Sequence, residues 1–306
     1  MRHLFLILFF SFSLTAIGQN PTDSGFTNKA EARNEKKDTL MEGKWIEYYG
    51  WNKQVSKDTS APFYSLSIFK DSKQAGIVRW YFKSGKLFQE MNYINGEIEG
   101  IRKLYFENGQ LAGECSYLNG KKNGIKKLYY EDGKVAEVDS VFSADKLNGI
   151  KKTFYPGGKL KSIITCLDNK RDGIESDYYE NGNKESEITY KDDKKNGIEK
   201  DYYEDGVIFT IDSLYVNDSF NGIWKMYTQK GKLQYEAPYI HDERTGIMKV
   251  YDDSGKLEQE IPYIHGKENG TAKTYYEGKV IRETIYSNGK ELEEKKFDMD
   301  GNELKE

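Results

Sequence analysis

A glycine that is followed five residues later by an aromatic residue returns every 24 or 25 residues along most of this chain. The residue directly after the glycine is isoleucine in eight copies and threonine in the ninth. A fixed period of this length is typical of repeat proteins, in which each unit packs only against its neighbours. The opening glycines are Gly76, Gly100, Gly124, Gly149, Gly173, Gly197, Gly222, Gly246 and Gly270, and the aromatic residues are Tyr81, Tyr105, Tyr129, Phe154, Tyr178, Tyr202, Tyr227, Tyr251 and Tyr275.

Each repeat has the pattern of a β-hairpin. A run of residues with strand character leads into Asn-Gly or Asp-Gly, as at Asn108-Gly109 and Asp132-Gly133. Such pairs favour a two-residue type I′ turn, and a turn of fixed length decides which residues of the two strands face each other. If position n is the nth residue after the opening glycine, positions three and fourteen are predicted to be partners, as are positions six and eleven.

The charges at positions three and fourteen agree with this pairing. Position three is basic in eight of the nine repeats, as at Lys127, Lys200 and Lys249. Opposite charges across a hairpin give weak stabilisation and oppose slips of register. We therefore interpret the basic column as half of a ladder of ion pairs, rather than as a stripe for anionic lipid or polysaccharide. Its acidic partners are Glu90, Glu114, Glu187, Glu236 and Glu260.

Two repeats are one residue longer than the others. An extra residue is accommodated in a sheet as a β-bulge. Placed in the second strand, the bulge brings Asp139 and Asp212 into the acidic column. It also brings Phe142 and Tyr215 into a column of aromatic residues that is predicted to lie opposite the opening glycines and to cover them.

These patterns predict an all-β fold: an elongated, twisted, single antiparallel sheet of about nine to ten tandem 24-residue hairpins. A tenth, earlier copy begins at Gly43 and carries an insertion from Gly50 to about Pro62, and the pattern decays after Tyr286. The repeat domain is therefore expected over residues 43–306, with degenerate terminal repeats. About eighteen strands at about 4.8 Å each predict a ribbon on the order of 85 Å long.

The N-terminal segment has a different composition. Residues 1–18 contain Arg2, an apolar run and an Ala16-Ile17-Gly18 end, which together are typical of a cleaved secretory signal peptide. Residues 19–42 are polar and aperiodic, so we expect a disordered linker there. The mature protein is expected to be secreted across the inner membrane into the periplasm, the cell envelope or the extracellular space. Loss of Arg2 changes the formal net charge from −4 to −5, which gives no general reason to expect nucleic-acid binding.

The residues of a catalytic or metal site are not found in a suitable arrangement. His241 and His265 lie one repeat apart, too far to share a zinc ion, and are interpreted as turn residues. Cys115 and Cys166 lie two repeats apart and are expected to be unpaired. The stretch 298–303 resembles a calcium loop, but Lys296 stands where its first ligand belongs. We predict no enzyme activity, no cofactor and no metal.

Positions two and four vary most between repeats, and strand alternation puts both on one face. This face is predicted to pass through a basic zone (Arg102, Lys126, Lys151), an acidic zone (Glu175, Asp177, Glu199, Asp201) and an apolar zone (Trp224, Met226, Met248, Val250). The apolar zone is a candidate partner-binding site. Alternatively, its side chains replace packing that is lost where Thr228 and Asp252 stand instead of the aromatic residue at position six.

The repeated pattern of Gly, two aromatic residues, Gly and then Glu-x-x-Tyr resembles the MORN repeat, and more closely the bacterial variants found in YwqK-type antitoxins. The resemblance covers about residues 43–292, and it implies tandem hairpins and a binding function. The secretion signal departs from a cytosolic antitoxin and is more typical of an envelope role. The sequence therefore predicts a secreted, non-catalytic scaffold that binds another protein, or another macromolecule, at the cell envelope. Two alternatives are an antitoxin-like or immunity protein that neutralises a toxin, and a binder of anionic lipid or polysaccharide surfaces.

Overall fold

A computed structural model describes residues 25–304, so the predicted signal peptide over residues 1–18 lies outside the described residues. The described chain forms one antiparallel sheet of 28 strands, and its one helical element is a 3₁₀ turn, Lys29–Glu31. The predicted all-β fold of tandem hairpins is confirmed. No helix in the described part of the chain is long and apolar enough to cross a membrane.

The strands in chain order are β1 (Glu35–Lys37), β2 (Leu40–Tyr49), β3 (Val55–Ser56), β4 (Phe63–Lys70), β5 (Lys73–Phe82), β6 (Leu87–Ile94), β7 (Glu97–Ile98), β8 (Gly100–Tyr105), β9 (Leu111–Leu118), β10 (Lys121–Tyr129), β11 (Val135–Ser143), β12 (Lys146–Leu147), β13 (Gly149–Phe154), β14 (Leu160–Leu167), β15 (Lys170–Tyr178), β16 (Lys184–Lys191), β17 (Lys194–Tyr202), β18 (Ile208–Val216), β19 (Ser219–Phe220), β20 (Ile223–Tyr227), β21 (Leu233–Ile240), β22 (Glu243–Arg244), β23 (Gly246–Tyr251), β24 (Leu257–Ile264), β25 (Lys267–Glu268), β26 (Gly270–Tyr276), β27 (Lys279–Ser287) and β28 (Lys290–Lys296). Each hairpin pairs with the one before and the one after it, which makes a continuous ribbon.

The predicted central register of the hairpins is correct. Lys103 faces Glu114, and Lys249 faces Glu260, as positions three and fourteen should. The second-strand aromatic residue also lies opposite the opening glycine, as Tyr117 does opposite Gly100. One face of the ribbon therefore carries the opening glycine (position zero) and positions two and four of the first strand, together with positions thirteen, fifteen and seventeen of the second strand. The other face carries positions one, three and five of the first strand and positions fourteen and sixteen of the second.

The predicted turn type at Asn-Gly and Asp-Gly is wrong. Phe106 and Gln110 close a three-residue loop in which Gly109 alone has a positive φ, of 92°. This is the three-residue hairpin with a bulge, and it places position six opposite position ten. A register shift in the second strand then restores the predicted pairing at position three. Type I′ geometry instead occurs between repeats, for example at Asp168 and Asn169, whose φ angles are 51° and 71°.

The bulge of the two longer repeats lies elsewhere than predicted. Lys127 faces Val138, and Lys200 faces Ile211, so Asp139 and Asp212 are not in the acidic column. They lie on the opposite face, where Asp139 accepts a 2.9 Å hydrogen bond from Lys126. The turn sets the register of the residues next to it, so the extra residue is absorbed after the acids. The aromatic part of the prediction is correct, because Phe142 and Tyr215 do face the opening glycines.

The expected linker over residues 19–42 is ordered wherever the structure describes it, from residue 25 on. Phe26 is only 5% exposed and packs with Leu66 and Tyr81. Strand β1 pairs with β2, and Asn34 exchanges hydrogen bonds with the backbone of Ile46. The single aromatic residue of a polar segment thus anchors it as an N-terminal cap on the sheet, a contact that composition alone does not indicate.

One face of the ribbon carries the ladder of ion pairs, and we call it the ladder face. Most of these acids are shared with the following repeat: Glu114 lies 3.3 Å from Lys127 Nζ and accepts a 2.9 Å hydrogen bond from the Tyr129 hydroxyl. The same Tyr–Glu bond recurs from Tyr251 to Glu236 and from Tyr275 to Glu260. The interpretation of the basic column as paired charge is therefore supported, and the pairs connect repeats as well as strands of one hairpin.

Consecutive hairpins are also tied at both margins of the ribbon. At the margin with the three-residue loops, tyrosines at position six donate to a backbone carbonyl of the next repeat, as Tyr179 does to Tyr202 at 2.7 Å. At the other margin, turn acids or amides exchange two hydrogen bonds with the preceding repeat, as Asp193 does with the backbone of Arg171. These bonds satisfy backbone groups that a thin sheet would otherwise expose.

Candidate binding groove

The second face of the ribbon, at positions two, four, thirteen, fifteen and seventeen, is the more enclosed one, and we call it the groove face. Its open cavities lie along the middle of the ribbon. A buried apolar cluster of Phe142, Leu147, Ile164 and Cys166 forms part of its floor. The structure places all three zones predicted from the sequence on this face, because Arg102, Glu175 and Trp224 face Cys115, Ile164 and Ala237 in register.

The cations of the basic zone bond to partners that the sequence did not indicate. Lys126 bonds to Glu137 and Asp139, and Lys151 lies 2.8 Å from Glu137. Burial opposes a charge on Lys126, but the two carboxylates prevail and raise its pKa; the same bonds lower the pKa of Glu137 against the effect of its own burial. Arg102 donates to the amide oxygen of Gln89 at 2.9 Å. Lys126 and Lys151 are therefore fixed in ion pairs, whereas Arg102 is held by a neutral amide.

A second basic column on the groove face was missed from the sequence. It lies two residues before the opening glycine, and its cations sit over the aromatic rings that cover those glycines. Arg171 stacks 3.9 Å from the centroid of Tyr190, and Arg244 lies 4.6 Å from that of Tyr263. The sequence carries this signal as a basic residue at this position in four repeats, Lys122, Arg171, Lys195 and Arg244. The position lies before the glycine, outside the segment after the glycine that defines the repeat.

The acidic zone has more negative charge than its partners balance. Arg171 lies 3.3 Å from Glu175, and Lys195 lies 2.6 Å from Glu199. Asp177 and Asp201 accept hydrogen bonds only from hydroxyls, those of Ser186 and Thr210, at 3.0 and 2.7 Å. Burial raises the pKa of Glu175, with Asp177 adding to the effect, and burial also raises the pKa of Asp201.

Asp212 extends the acidic zone and was also missed, because the bulge had been placed before it. Its Oδ2 accepts a 3.1 Å hydrogen bond from Tyr215, while its buried Oδ1 has no hydrogen-bond partner. Burial is the main cause that raises the pKa of Asp212, and the neighbouring Glu199 and Asp201 add to it. A cationic partner would therefore stabilise the charged form of the carboxylates in this zone.

The apolar zone is half-buried. Trp224 stacks on Tyr235 with 6.3 Å between ring centroids and lines a cavity with Phe220 and Tyr239. Met226, Met248 and Val250 are also partly exposed on the same face. At the turns where the position-six aromatic residue is lost, Thr228 and Asp252 close their own loops by hydrogen bonds. The four residues lie together as predicted, and their role in binding stays a prediction.

The other chemically interesting residues occupy structural places. His241 and His265 lie in turns with positive φ, and His265 lies 3.0 Å from Glu243. Cys115 and Cys166 are buried free thiols, and burial raises the pKa of each. In the calcium-like stretch, Asp298 caps its own turn. Within residues 25–304, no group of three or more His, Cys, Asp or Glu side chains is placed to hold a metal ion.

Comparison with known proteins identifies the repeat. Eight segments match the family model described as "MORN repeat variant", and together they make up more than half of the chain: residues 74–95, 98–119, 122–140, 147–165, 171–192, 195–217, 220–241 and 244–265. No curated protein matches the sequence. The matched segments leave out the copy that begins at Gly43 and the last hairpin.

Solved structures with local similarity include a porin-like protein from Bacteroides uniformis ATCC 8492, at 13% identity and a TM-score of 0.16, covering 74% of this chain and 90% of that one. Two others are titled TcdB2-TccC3-Cdc42 and TcdB2-TccC3-TEV, each at 13% identity. Their TM-scores are 0.17 and 0.15; they cover 80% and 82% of this chain, which spans 17% and 15% of theirs. TM-scores this low do not establish a shared fold.

Proposed function

We propose, since the chain belongs to the family of MORN repeat variants, that it is an exported, non-catalytic scaffold whose groove face binds another protein. Export rests on the signal-like composition of residues 1–18. The binding assignment rests on the shape and chemistry of the ribbon, because a repeat array offers a long surface whose side chains can vary without loss of the fold.

The observation that carries this proposal is the contrast between the two faces. On the ladder face nearly every hairpin repeats the same isoleucine, basic residue and tyrosine, as at Ile101, Lys103 and Tyr105. On the groove face, position two changes from cationic to anionic to apolar along the chain, and position four changes from Leu or Thr to Asp and then to Met or Val. A uniform face is sufficient to hold the repeats together, so the variable face supports recognition of one partner with a matching order of charge and apolar surface.

The acidic and apolar zones are the best candidates for direct contact. In the basic zone Lys126 and Lys151 are already paired within the chain, whereas Asp201 and Asp212 have raised pKa values and no cation of their own. We infer a partner that presents a Lys- or Arg-containing segment beside an apolar anchor. Trp224 and Met248 supply the apolar part, since Trp and Met are enriched at binding surfaces.

The proposal is tested by photo-cross-linking with the exported protein in its native cells. A photoreactive amino acid replaces Met226 on the groove face or, as the matched control, Lys225, which points to the other face of the same strand. We expect a cross-linked protein from the Met226 position alone, and recovery of protein that begins at Gln19 from the envelope fraction. Equal products from both faces, or retention of the uncleaved chain in the cytosol, would overturn it.

Substitution then separates binding from packing. Trp224→Ala with Met248→Ala should abolish recovery of the cross-linked partner while the melting temperature falls only slightly, because both side chains are only half-buried. A large fall in melting temperature would assign them to packing. The identity of the product distinguishes the alternatives: a toxic protein that the chain neutralises stoichiometrically would favour the antitoxin-like function, and lipid or polysaccharide in its place would favour a surface binder.

A further inference from the structure

A row of exposed aliphatic side chains runs along one margin of the ladder face for most of its length. The residues come from position one and from the end of the second strand, and each is between 40% and 57% exposed. We call this row the aliphatic stripe. Its members are Ile94, Ile101, Leu118, Ile125, Ile150, Leu167, Ile174, Ile198, Val216, Ile223, Ile240, Ile247 and Ile264.

The stripe is larger than the apolar surface that a soluble monomer normally exposes. The exposed halves of thirteen such side chains amount to on the order of 700 Å² of apolar area, whereas the largest patch on a typical monomer is about 300–600 Å² and is often functional. A stable interface buries about 800 Å² on each partner. The stripe and the ladder beside it are therefore sufficient for one standard interface.

The chain itself covers this face at one end. The N-terminal cap lies over the ladder face of the first hairpins, where Phe26 is buried against Leu66 and Tyr81. Ile77 stands at position one, like the members of the stripe, but it lies beneath Gly25 and is only partly exposed. The stripe begins at Ile94, directly after this cap. Where the chain provides a cover the face is buried, and where the cover ends the same columns are left exposed.

We propose that a second copy of this chain covers the aliphatic stripe, in an antiparallel dimer whose two-fold axis crosses the ribbon near Ile174. A sheet turns by about 20° per strand, so the stripe winds around the long axis and a flat membrane meets only a few repeats of it. A straight helix does not fit the stripe either, because the pitch of a helix differs from the spacing of about 10 Å between successive hairpins. Another copy has the same pitch and the same twist.

The charges beside the stripe fit the same arrangement. Basic and acidic residues alternate from strand to strand in the ladder, as in Glu90, Lys103, Glu114 and Lys127. When the direction of the ribbon is reversed about an axis between β15 and β16, first strands lie over second strands, and outside the middle of the ladder each cation lies over an acid of the other copy, as Lys127 does over Glu236 and Lys249 over Glu114. In the middle of the ladder the acids are replaced by Val138, Ile163 and Ile211. A central two-fold axis therefore brings the least charged part of the ladder onto itself.

The first test measures the mass of the mature chain, residues 19–306, by sedimentation at about 10 µM. We expect a dimer for the natural sequence. Ile150→Thr, Ile174→Thr and Ile198→Thr together should raise the dimer Kd by about 100-fold or more and leave the circular dichroism spectrum unchanged, because the three side chains are exposed and threonine keeps the strand propensity. The control, Leu292→Thr with Leu304→Thr, changes two leucines outside the stripe that are 60% and 55% exposed and should leave the dimer intact.

The second test fixes the orientation by oxidation of introduced cysteines. Ile174→Cys and Thr189→Cys lie on the two strands that flank the axis and should form a disulfide when the two variants are mixed, since a disulfide needs Cα atoms within about 7 Å. Ser116→Cys and Ile247→Cys should do the same farther from the axis, and none of the four variants should form a disulfide with its own copy. A monomeric natural chain, an equal loss of dimer in the leucine control, or a monomer whose stripe binds phosphatidylglycerol vesicles would overturn the proposal. Partner capture through the groove face is a separate readout, because this dimer leaves the groove faces on the outside.

Discussion

At the scale of single residues, the ladder face is held by an acid that serves two neighbours. Glu114 faces Lys103 within its own hairpin, pairs with Lys127 of the next repeat and accepts a hydrogen bond from the Tyr129 hydroxyl. Exposed ion pairs contribute little because water screens them, while a half-buried tyrosine brings both apolar area and a hydrogen bond. The aromatic member of each rung should therefore contribute most to the stability of the ladder.

We expect Lys127→Ala to lower the free energy of unfolding by less than about 1 kcal/mol, and Tyr129→Ala to lower it by about 2–3 kcal/mol. Tyr129→Phe keeps the ring and should cost about 1 kcal/mol, the value of one hydrogen bond. Urea unfolding of the three variants measures the differences. Equal losses for the lysine and the tyrosine would show that charge pairing, rather than the ring, holds the repeats together.

Asp212 is a partly buried acid that accepts one hydrogen bond, from Tyr215, and has no ion pair among the described residues. Its folded pKa is raised, mainly by burial, so the unfolded chain loses this proton at a lower pH than the folded chain does. The contribution of the group to stability is thus fully present at low pH and is lost as the pH rises through the folded pKa. Asp212→Asn removes the charge and keeps an oxygen that can accept the Tyr215 hydrogen bond.

Asp212→Asn should therefore melt at a higher temperature than the natural protein at pH 7. The difference between the two should shrink as the pH falls and should vanish once Asp212 is protonated. Melting curves from pH 4 to pH 8 test this, with Asp132→Asn as a control, because Asp132 is an exposed turn residue whose pKa is lowered by hydrogen bonds from Lys134. A constant difference at every pH would indicate a change in packing rather than in charge.

At the scale of elements, alternation predicted the strands and their central register, and it could not predict the turns. An Asn-Gly pair suits a type I′ turn and also the three-residue loop in which Gly109 has a φ of 92°, so the local sequence does not choose between them. Type I′ turns occur at the opposite margin, where successive repeats are joined. There Asp168-Asn169 and Asp192-Asp193 have positive φ without any glycine. There the second residue also hydrogen-bonds to the preceding repeat.

The bulge in the first longer repeat is the strained element of the ribbon. Val141 has a φ of 63° and is 53% exposed, so a β-branched residue occupies the left-handed region with little packing in return. The bulge interrupts the backbone hydrogen bonds between the two strands. Ser140 replaces them, because its hydroxyl exchanges two 2.9 Å hydrogen bonds with the backbone of Ile150. The sequence showed that one extra residue was present but not which residue would absorb it.

We expect Val141→Gly to raise the free energy of unfolding by up to about 1 kcal/mol, since it removes a left-handed strain of about 1–2 kcal/mol and adds some backbone entropy to the unfolded chain. Val138→Gly is the control: that residue is extended, partly buried and paired with Lys127, and its loss should destabilise the protein. Urea unfolding gives both values. A loss of stability in the Val141 variant would show that its side chain packs in solution.

At the scale of the whole molecule, the sheet has two small clusters of buried apolar residues rather than one core. One lies on the groove face around Phe142 and Ile164, and the other lies beneath the N-terminal cap around Leu66. Between them, stability comes from contacts that each hairpin makes with the next. Whole repeats can therefore be added or removed, provided that the period of the remaining repeats is unbroken. The cap itself could not be foreseen, because one Phe26 in a polar segment carries no periodic signal.

Deletion of one full period tests this picture of the molecule. Removal of residues 173–196 joins Asp172 to Gly197 and so puts Gly197 in the place of Gly173. Tyr-to-carbonyl and Asp-to-backbone ties of the same kind can therefore re-form across the junction. We expect the shortened chain to fold with an unchanged strand spectrum and a ribbon shorter by about 10 Å, twice the spacing of paired strands. Circular dichroism and solution scattering measure the two properties.

The matched control removes 11 residues, 173–183, which deletes most of the first strand and the loop of the same hairpin but keeps its second strand. In that chain β14 is followed by β16, two strands that run in the same direction, and a short loop cannot join neighbouring parallel strands. The ribbon should then break into two parts that scatter as a flexible pair, with loss of strand signal near the junction. If the 24-residue deletion unfolds as much as the 11-residue deletion does, stability depends on the particular side chains of this repeat, and the nearest-neighbour account of the ribbon fails.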